Sequence, residues 1–345
     1  MSSGITTAVA AVVIFGGIIL FHEFGHFIVA KKSGITVFEF AIGMGPAIYK
    51  KEINGTLYSL RAIPIGGYVL LEGEDDAEES FSEGSFSQKP LLNRLAVMAA
   101  GSFNNLVLGY LLLLILTIMN GYVGTTYVAV FEEGSVSSQT LMLGDKITHM
   151  NGHRVRTSND ITYEFIRDED GLIDMKIIRE GVSVELEPIQ FKMQHLEDGV
   201  SMIDMDFKVA AVPAKVLDYI VYPVNWGMSI VKQVWGSFTD IITGRYSVNQ
   251  LSGPVGVVNA IGEASKMGIK SLIMMAAFLT INIGIFNLLP FPVLDGGKIV
   301  INIFEDLFKV KINRKVLEII MTVSILLLIV LMVYVTMNDV YRLFQ

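Results

Sequence analysis

Four stretches of this chain are apolar and nearly free of charge for long enough to cross a bilayer, which leaves it few ways to fold. A helix needs about 20 mostly apolar residues to span the hydrocarbon core. Residues 6–30 meet that length, with no charge from Gly4 to Phe21. A second uncharged run extends from Leu95 to Phe131, and its spanning part is expected at 95–119; the others are 271–289 and 319–336. Lipid cannot hydrogen-bond a bare backbone, so each is expected as a helix in a polytopic α-helical membrane protein. Composition agrees: 52% of the residues are apolar and 17% charged, against about 25% charged in soluble domains. The chain has no cysteine, which excludes thiolate zinc sites, disulfides and thiol nucleophiles. A net charge of −8 gives nucleic acid no electrostatic foothold. The opening MSSGITTAVAA has no basic n-region, so a cleaved signal peptide is not expected.

Lysines and arginines close to the span ends set the orientation. Lys31, Lys32, Lys89, Arg94, Lys309, Lys311, Arg314 and Lys315 fall on one side, and Lys266, Lys270 and Arg342 on the other. Eight against three puts the loops 31–94 and 290–318 in the cytoplasm and both termini outside. The segment 120–270 then lies on the outer face of a plasma membrane.

The first span ends in His22-Glu23-Phe24-Gly25-His26, an H-E-x-x-H pattern. On a helix, residues four apart share one face about 6 Å apart along the axis, so two imidazoles can grip one metal. Glu23 stands beside them, where a carboxylate can take a proton from water. The bland alternative is a histidine pair packed between helices and bonded to Glu23, but intramembrane ionisable residues are costly and usually functional. A catalytic zinc site needs three protein ligands. His149 and His153 are also four apart, but they bracket Asn151-Gly152, a hairpin signal, and read as surface residues of the outer segment; His195 reads as an isolated loop residue. Asp295 is the better third ligand. It follows the third span in NLLPFPVLDGG, where Pro290 and Pro292 must end the helix. The first and third spans run in the same direction, so His26 and Asp295 lie at the same side of the membrane. The alternative is that Asp295 only caps a short helix over 296–308.

The outer segment reads as strands and turns, with runs at 125–130, 144–147, 172–178 and 181–186. Residues 219–226 and 231–235 are apolar with Trp, Tyr and Lys at intervals, too interrupted to span, and read as helices lying at the interface as a gate or an anchor. The acidic run at 72–83 reads as a solvated loop. Asn282 and Asn287 could be polar glue between helices.

H-E-F-G-H in a first span, with N-x(4)-N-L-L-P-F-P-V-L-D-G-G after a third, resembles the site-2 family of intramembrane zinc proteases. It resembles the bacterial regulator-of-sigma-E proteases more closely still. Gly43-Met44-Gly45-Pro46, Ile65-Gly66-Gly67-Tyr68-Val69, residues 99–105 (AAGSFNN) and residues 251–256 (LSGPVG) extend the resemblance over nearly the whole chain. It implies His22, His26 and Asp295 as ligands of one Zn2+ and Glu23 as the catalytic carboxylate. It also implies that Asn282 and Asn287 hold the substrate backbone, and that Gly43, Met44 and Gly45 belong to a membrane-associated β-hairpin receiving an extended substrate. Gly-Asp-x-Ile followed by Asn-Gly-x-x-Val resembles a PDZ core, and residues 122–211 leave room for one such extracytoplasmic α+β domain where Gram-negative members carry two. The expected division is therefore 1–121 (first half of the membrane core), 122–211 (PDZ-like), 212–268 (interfacial helices) and 269–345 (second half, with LDGG). The implied activity is cleavage of single-span membrane proteins, such as anti-sigma factors or remnant signal peptides, in a water-accessible cavity near the cytoplasmic side. The PDZ-like domain would bind peptides or exclude bulky ectodomains. The rival readings are a membrane zinc transporter and a non-catalytic PDZ scaffold.

Overall fold

A computed structural model of the chain describes residues 2–74, 82–195, 201–245, 251–310 and 312–343. Its helices are α1 (Ser2–Lys32), α2 (Leu91–Asn120), α3 (Ser158–Arg167), α4 (Asp218–Ile242), α5 (Pro254–Met267), α6 (Ile269–Asn287), α7 (Asp295–Phe308) and α8 (Arg314–Leu343). Two compact units divide the chain: residues 1–112 with 236–345, and residues 113–235. Within the acidic run, residues 75–81 lie outside the described residues, as does Lys311.

The first unit holds most of the apolar length. Four helices, α1, α2, α6 and α8, are long and apolar enough to cross a membrane, and the chain is polytopic. α2 starts earlier than hydropathy indicates, at Leu91, because the Pro90 carbonyl accepts the Asn93 and Arg94 amides and nucleates an amphipathic first turn. α8 leaves Ile319, Leu326, Leu327 and Val330 exposed, as a lipid-facing helix does. α1 packs on α5 and α6 through Ala11, Ile14, Ile18, Ile261 and Leu279. α2 and α6 approach closely through small residues: a Cβ on Gly109 would meet Ile281 Cγ1 at 2.4 Å, and one on Gly284 would meet the Ser102 carbonyl at 3.0 Å. Small residues let helix backbones pack tightly in lipid.

Between α1 and α2 run two long strands, β1 (Val37–Ile53) and β2 (Thr56–Leu71). Each bends, so the hairpin expected around Gly43–Pro46 is a wider sheet. Residues 39–42 meet residues 57–60 on one side and residues 67–70 on the other, while residues 47–53 pair with 56–61. The bends centre on Gly43, Gly45 and Gly66, all at positive φ. β2 lies against α1 far up the helix: a Cβ on Gly16 would sit 3.4 Å from the Pro64 carbonyl, and one on Gly67 would sit 3.3 Å from Glu23 Cγ.

The LSGPVG stretch finds its partner in α8. Asp339, buried, accepts the Gly253 amide on Oδ1 at 3.1 Å and the Gly256 amide on Oδ2 at 2.7 Å. α5 has glycine at its N-cap, so a carboxylate from another helix supplies the cap and meets the positive end of the α5 dipole. Asp339→Ala should lower stability by about 1–3 kcal/mol, read as a fall of several degrees in the thermal unfolding midpoint in detergent. Asp339→Asn, which keeps one acceptor, should fall between; an alanine variant melting with the wild type would refute the cap.

The second unit is built on a six-stranded sheet. Its main path runs Phe207–Pro213, Tyr122–Phe131, Lys146–Met150, Met175–Arg179, Val182–Glu185, with His153–Arg154 paired to Lys146–Met150. The Asn-Gly signal holds: Asn151 and Gly152 both take positive φ in the turn between Met150 and His153. Val128, Ile147, Met150, Ile161, Phe165, Ile177 and Phe207 form the core. α3 is closed at its start by a Thr157/Asp160 capping box. His195, expected in a loop, ends a short strand, Met193–His195, paired with Ser201–Ile203. The interrupted apolar stretch at 219–235 is one continuous helix, α4, that runs through Pro223. Lys232 on α4 reaches Glu164 on α3 at 2.6 Å, and His153 Nδ1 lies 3.0 Å from the same carboxylate. Glu164 is 2% exposed, and a carboxylate that deep is tolerable only with both partners. His153 is thus committed to Glu164, and His149 Nδ1 faces Thr148 at 3.2 Å; the pair does not converge as metal ligands would.

Candidate metal centre

Helical geometry brings His22 and His26 onto one face of α1, with ring centroids 4.8 Å apart and the planes nearly perpendicular. The third side chain comes from 269 residues further along. α6 ends at Asn287, ahead of Pro290 and Pro292, and the loop turns sharply to start α7 at Asp295. Leu294, not Asp295, occupies the N-cap of α7, so the Asp295 carboxylate is free to point back at the histidines. Two glycines make the turn fit. A Cβ on Gly296 would lie 2.2 Å from the Leu288 carbonyl, and one on Gly297 would lie 2.1 Å from the Phe291 carbonyl.

Asp295 Oδ2 stands 3.2 Å from His22 Nε2 and 3.4 Å from His26 Nε2, and the two Nε2 atoms are 3.2 Å apart. Among the described residues these three form the only group of His and acidic side chains whose ligand atoms converge, all within 4.8 Å. Their outer atoms fix how they face one another. His26 Nδ1 lies 2.7 Å from the Val97 carbonyl, which can only accept; Nδ1 therefore carries the proton and Nε2 of the neutral ring presents a lone pair. His22 Nδ1 lies 3.3 Å from the Asn105 carboxamide, whose Oδ1 is buried without a partner. Turned by 180°, that carboxamide would accept from Nδ1 and leave Nε2 of His22 equally basic. Asp295 Oδ2 is buried and makes no hydrogen bond of acceptable geometry. Three lone-pair atoms facing one point, one of them an orphaned carboxylate oxygen, repel unless a cation sits between them. Two imidazoles and a carboxylate are a three-ligand set suited to catalytic zinc. The donors fit the ion.

α2 forms the back wall. Gly101 presses its backbone against both rings, so that a Cβ there would lie 2.3 Å from His26 Nε2 and 2.7 Å from His22 Cε1. On the same helix the Asn104 side-chain amide donates to the Phe21 carbonyl. Gly25 lets α1 close on α2, with a would-be Cβ 2.4 Å from the Ala100 carbonyl. Glu23, half-buried, points towards β2 at Gly67.

The residues expected to hold substrate divide. Gly43, Met44 and Gly45 form the bend of β1, with Met44 paired to Ile63 and 54% exposed. Asn282 donates to the Phe278 carbonyl of its own helix at 2.8 Å. Asn287 closes α6 half-buried, and its side chain has no hydrogen-bond partner among the described residues. Sequence reasoning assigned no role to Gly101 or Asn105. The cluster of Gly101, Ser102, Asn104 and Asn105 within a spanning helix was the available signal, since glycine and asparagine are poor helix formers and asparagine is costly in lipid.

Comparison with known proteins identifies the family. Residues 10–331 match the sequence pattern of peptidase family M50. A protein of Clostridium perfringens is 33% identical over 331 residues, covering 96% of this chain and 97% of its own. The regulator of sigma-W protease RasP of Bacillus subtilis is 27% identical over 421 aligned residues, covering 99% of each chain. The zinc metalloprotease RasP of Bacillus licheniformis is 27% identical, covering 98% of this chain and 99% of its own. With the pattern matched over nearly its full length, this chain belongs to peptidase family M50.

Proposed function

We propose that His22, His26 and Asp295 are the protein ligands of one catalytic zinc ion and that Glu23 is the general base and acid of peptide hydrolysis. The observation that carries this reading is the convergence of the three side chains from α1 and the start of α7. As an M50 peptidase with four helices fit to cross a membrane, the protein is an intramembrane zinc metalloprotease.

Zinc in this site supplies Lewis acidity, polarising a scissile carbonyl and lowering the pKa of water towards about 7. The protein's own part is positioning and proton transfer. Glu23 takes the proton from the attacking water and delivers it to the leaving amide nitrogen. The Val97 carbonyl and Asn105 fix the two rings, as partners of metal-binding histidines do. A substrate helix must unwind before a peptide bond can be attacked, and its exposed backbone then needs partners. In this reading the bend at Gly43, Met44 and Gly45 receives that extended backbone by strand pairing, with Asn282 and Asn287 binding from α6.

The substrates that fit are single-span membrane proteins, anti-sigma factors or remnant signal peptides; the name of the Bacillus subtilis relative, a regulator of sigma-W, supports the first. The distribution of basic residues supports a plasma-membrane protein with both termini outside and the site near the cytoplasmic face. Residues 122–211 act in this reading as one PDZ-like domain that binds peptides or screens out bulky ectodomains. The division at 122, 212 and 269 follows from the same reading. A zinc transporter would string ligands at successive depths along a path, whereas the ligand atoms here meet at one point.

Metal analysis of the purified full chain should give one zinc per chain, falling to near zero in His22→Ala and in Asp295→Ala. Cleavage of a co-reconstituted single-span substrate should stop on chelation and return with zinc. Stoichiometric zinc in both variants would end the ligand assignment.

A further inference from the structure

We propose that Arg61 is a positioning residue for substrate: through the Gly45 carbonyl it fixes the Gly43–Gly45 bend in the conformation that receives an extended chain. The proposal rests on the reading that this bend contacts substrate.

Sequence alone constrains the bend weakly. Gly43 (φ +86°) and Gly45 (φ +82°) flank Met44, and glycine surrenders more backbone freedom on ordering than any other residue. A turn that orders only when substrate arrives spends binding energy on its own ordering, whereas a pre-set turn does not. Arg61 supplies the restraint. Its Nη1 donates to the Gly45 carbonyl at 2.8 Å, and its Nη2 meets Glu39 Oε1 at 2.7 Å. The guanidinium carbon lies 4.9 Å from the centre of the Tyr68 ring, and Nη2 also donates to the Tyr68 hydroxyl.

Glu39 anchors this arrangement. Its Oε1 accepts from Ser59 Oγ at 2.5 Å and its Oε2 from the Tyr68 hydroxyl at 2.8 Å. Burial pushes the Glu39 carboxyl up, but the hydrogen bonds from Ser59, Arg61 and Tyr68 outweigh it and hold the group below the usual carboxylate range. Glu39 sits in the stretch 39–42, which both halves of β2 flank. Arg61 therefore ties the bend to three separate pieces of the sheet. One of those pieces, at Gly67, passes beside Glu23, so the restrained bend and the proton-transfer group belong to one frame. A guanidinium is suited to this work because its planar fork can serve a carboxylate and a carbonyl together.

The test uses full-length protein reconstituted with a single-span substrate, and a photo-crosslinker placed at position 44 in a Glu23→Gln background. Arg61→Ala should raise KM about tenfold, equivalent to about 1.4 kcal/mol. It should cut the crosslink to substrate by a similar factor, with kcat within about twofold and zinc unchanged. Arg61→Lys, which keeps the charge but not the fork, should raise KM by a smaller factor. An Arg61→Ala protein with KM and crosslinking within twofold of the wild type overturns the proposal. Should that variant fail to unfold cooperatively, Arg61→Lys decides, and an unchanged KM there overturns it equally. Gly43→Ala, strained at a positive φ and with its Cβ 2.5 Å from the Ile63 carbonyl, separates the two levels. If Gly43→Ala raises KM while the Arg61 variants do not, only the role of Arg61 falls. If neither raises KM, the bend does not contact substrate.

Discussion

Glu23→Gln should keep its zinc and lose its proteolysis. The substitution is isosteric, sits on the same helix turn as His22 and His26, and removes none of the three converging ligand atoms. What it removes is a basic oxygen. General acid–base catalysis contributes roughly 10²–10⁴-fold, and in the proposed mechanism one group serves both proton transfers, so a fall in kcat of at least about 10²-fold is expected. The measurement pairs zinc content with turnover of a reconstituted single-span substrate. Zinc retained and turnover within tenfold of wild type would show that some other group moves the proton.

Gly101→Ala should lose the metal while leaving the fold intact or slightly more stable. Alanine in a helix interior is favoured over glycine by about 1 kcal/mol, so α2 itself gains. The added methyl would lie 2.3 Å from His26 Nε2, far inside contact distance, on a backbone held by packing against α6 and by the Asn104–Phe21 bond. The rings must move, and the ligand atoms with them. Zinc stoichiometry should fall at least tenfold at micromolar free zinc, with an undiminished unfolding midpoint for the metal-free protein. Gly17→Ala is the matched control, since a Cβ there meets nothing within 4 Å, and its zinc should be unchanged. Full zinc occupancy in Gly101→Ala would mean that the two rings do not rest on α2 as described.

The convergence of His22, His26 and Asp295 was legible because each of its parts follows a simple rule. Four-residue spacing places His22 and His26 together, paired prolines end the third helix, and the shared direction of two spans brings Asp295 to the same level. The back wall was not legible. That Gly101 and Asn105 face the histidines depends on the rotation of α2 about its axis, which long-range packing sets and which the polar residues scattered around this helix do not display. The same limit applied to the sheet. The resemblance placed a β-hairpin around Gly43–Pro46, but that residues 39–42 would be enclosed on both sides depends on β2 bending a second time, at Gly66. The stretch at 219–235 was legible as helical and too interrupted to span, and α4 is not among the helices apolar enough to cross a membrane; that its two apolar pieces join through Pro223 into one helix depends on packing, such as the Lys232–Glu164 pair.

The closeness of Pro64 to Gly16 has a consequence for the surroundings of this protease. At 1.5 Å per residue, Gly16 lies about 24 Å from the far end of α1, most of the way through a hydrocarbon core about 30 Å thick. Peptide groups held at that level would be stranded among acyl chains, an arrangement tolerated only where protein or water lines the gap. Protein or water, and not acyl chains, must therefore line this side of the protein at that depth. Where that lining is water, hydrolysis begins in a cleft that is already wet, and the step left to regulate is the arrival of a polypeptide.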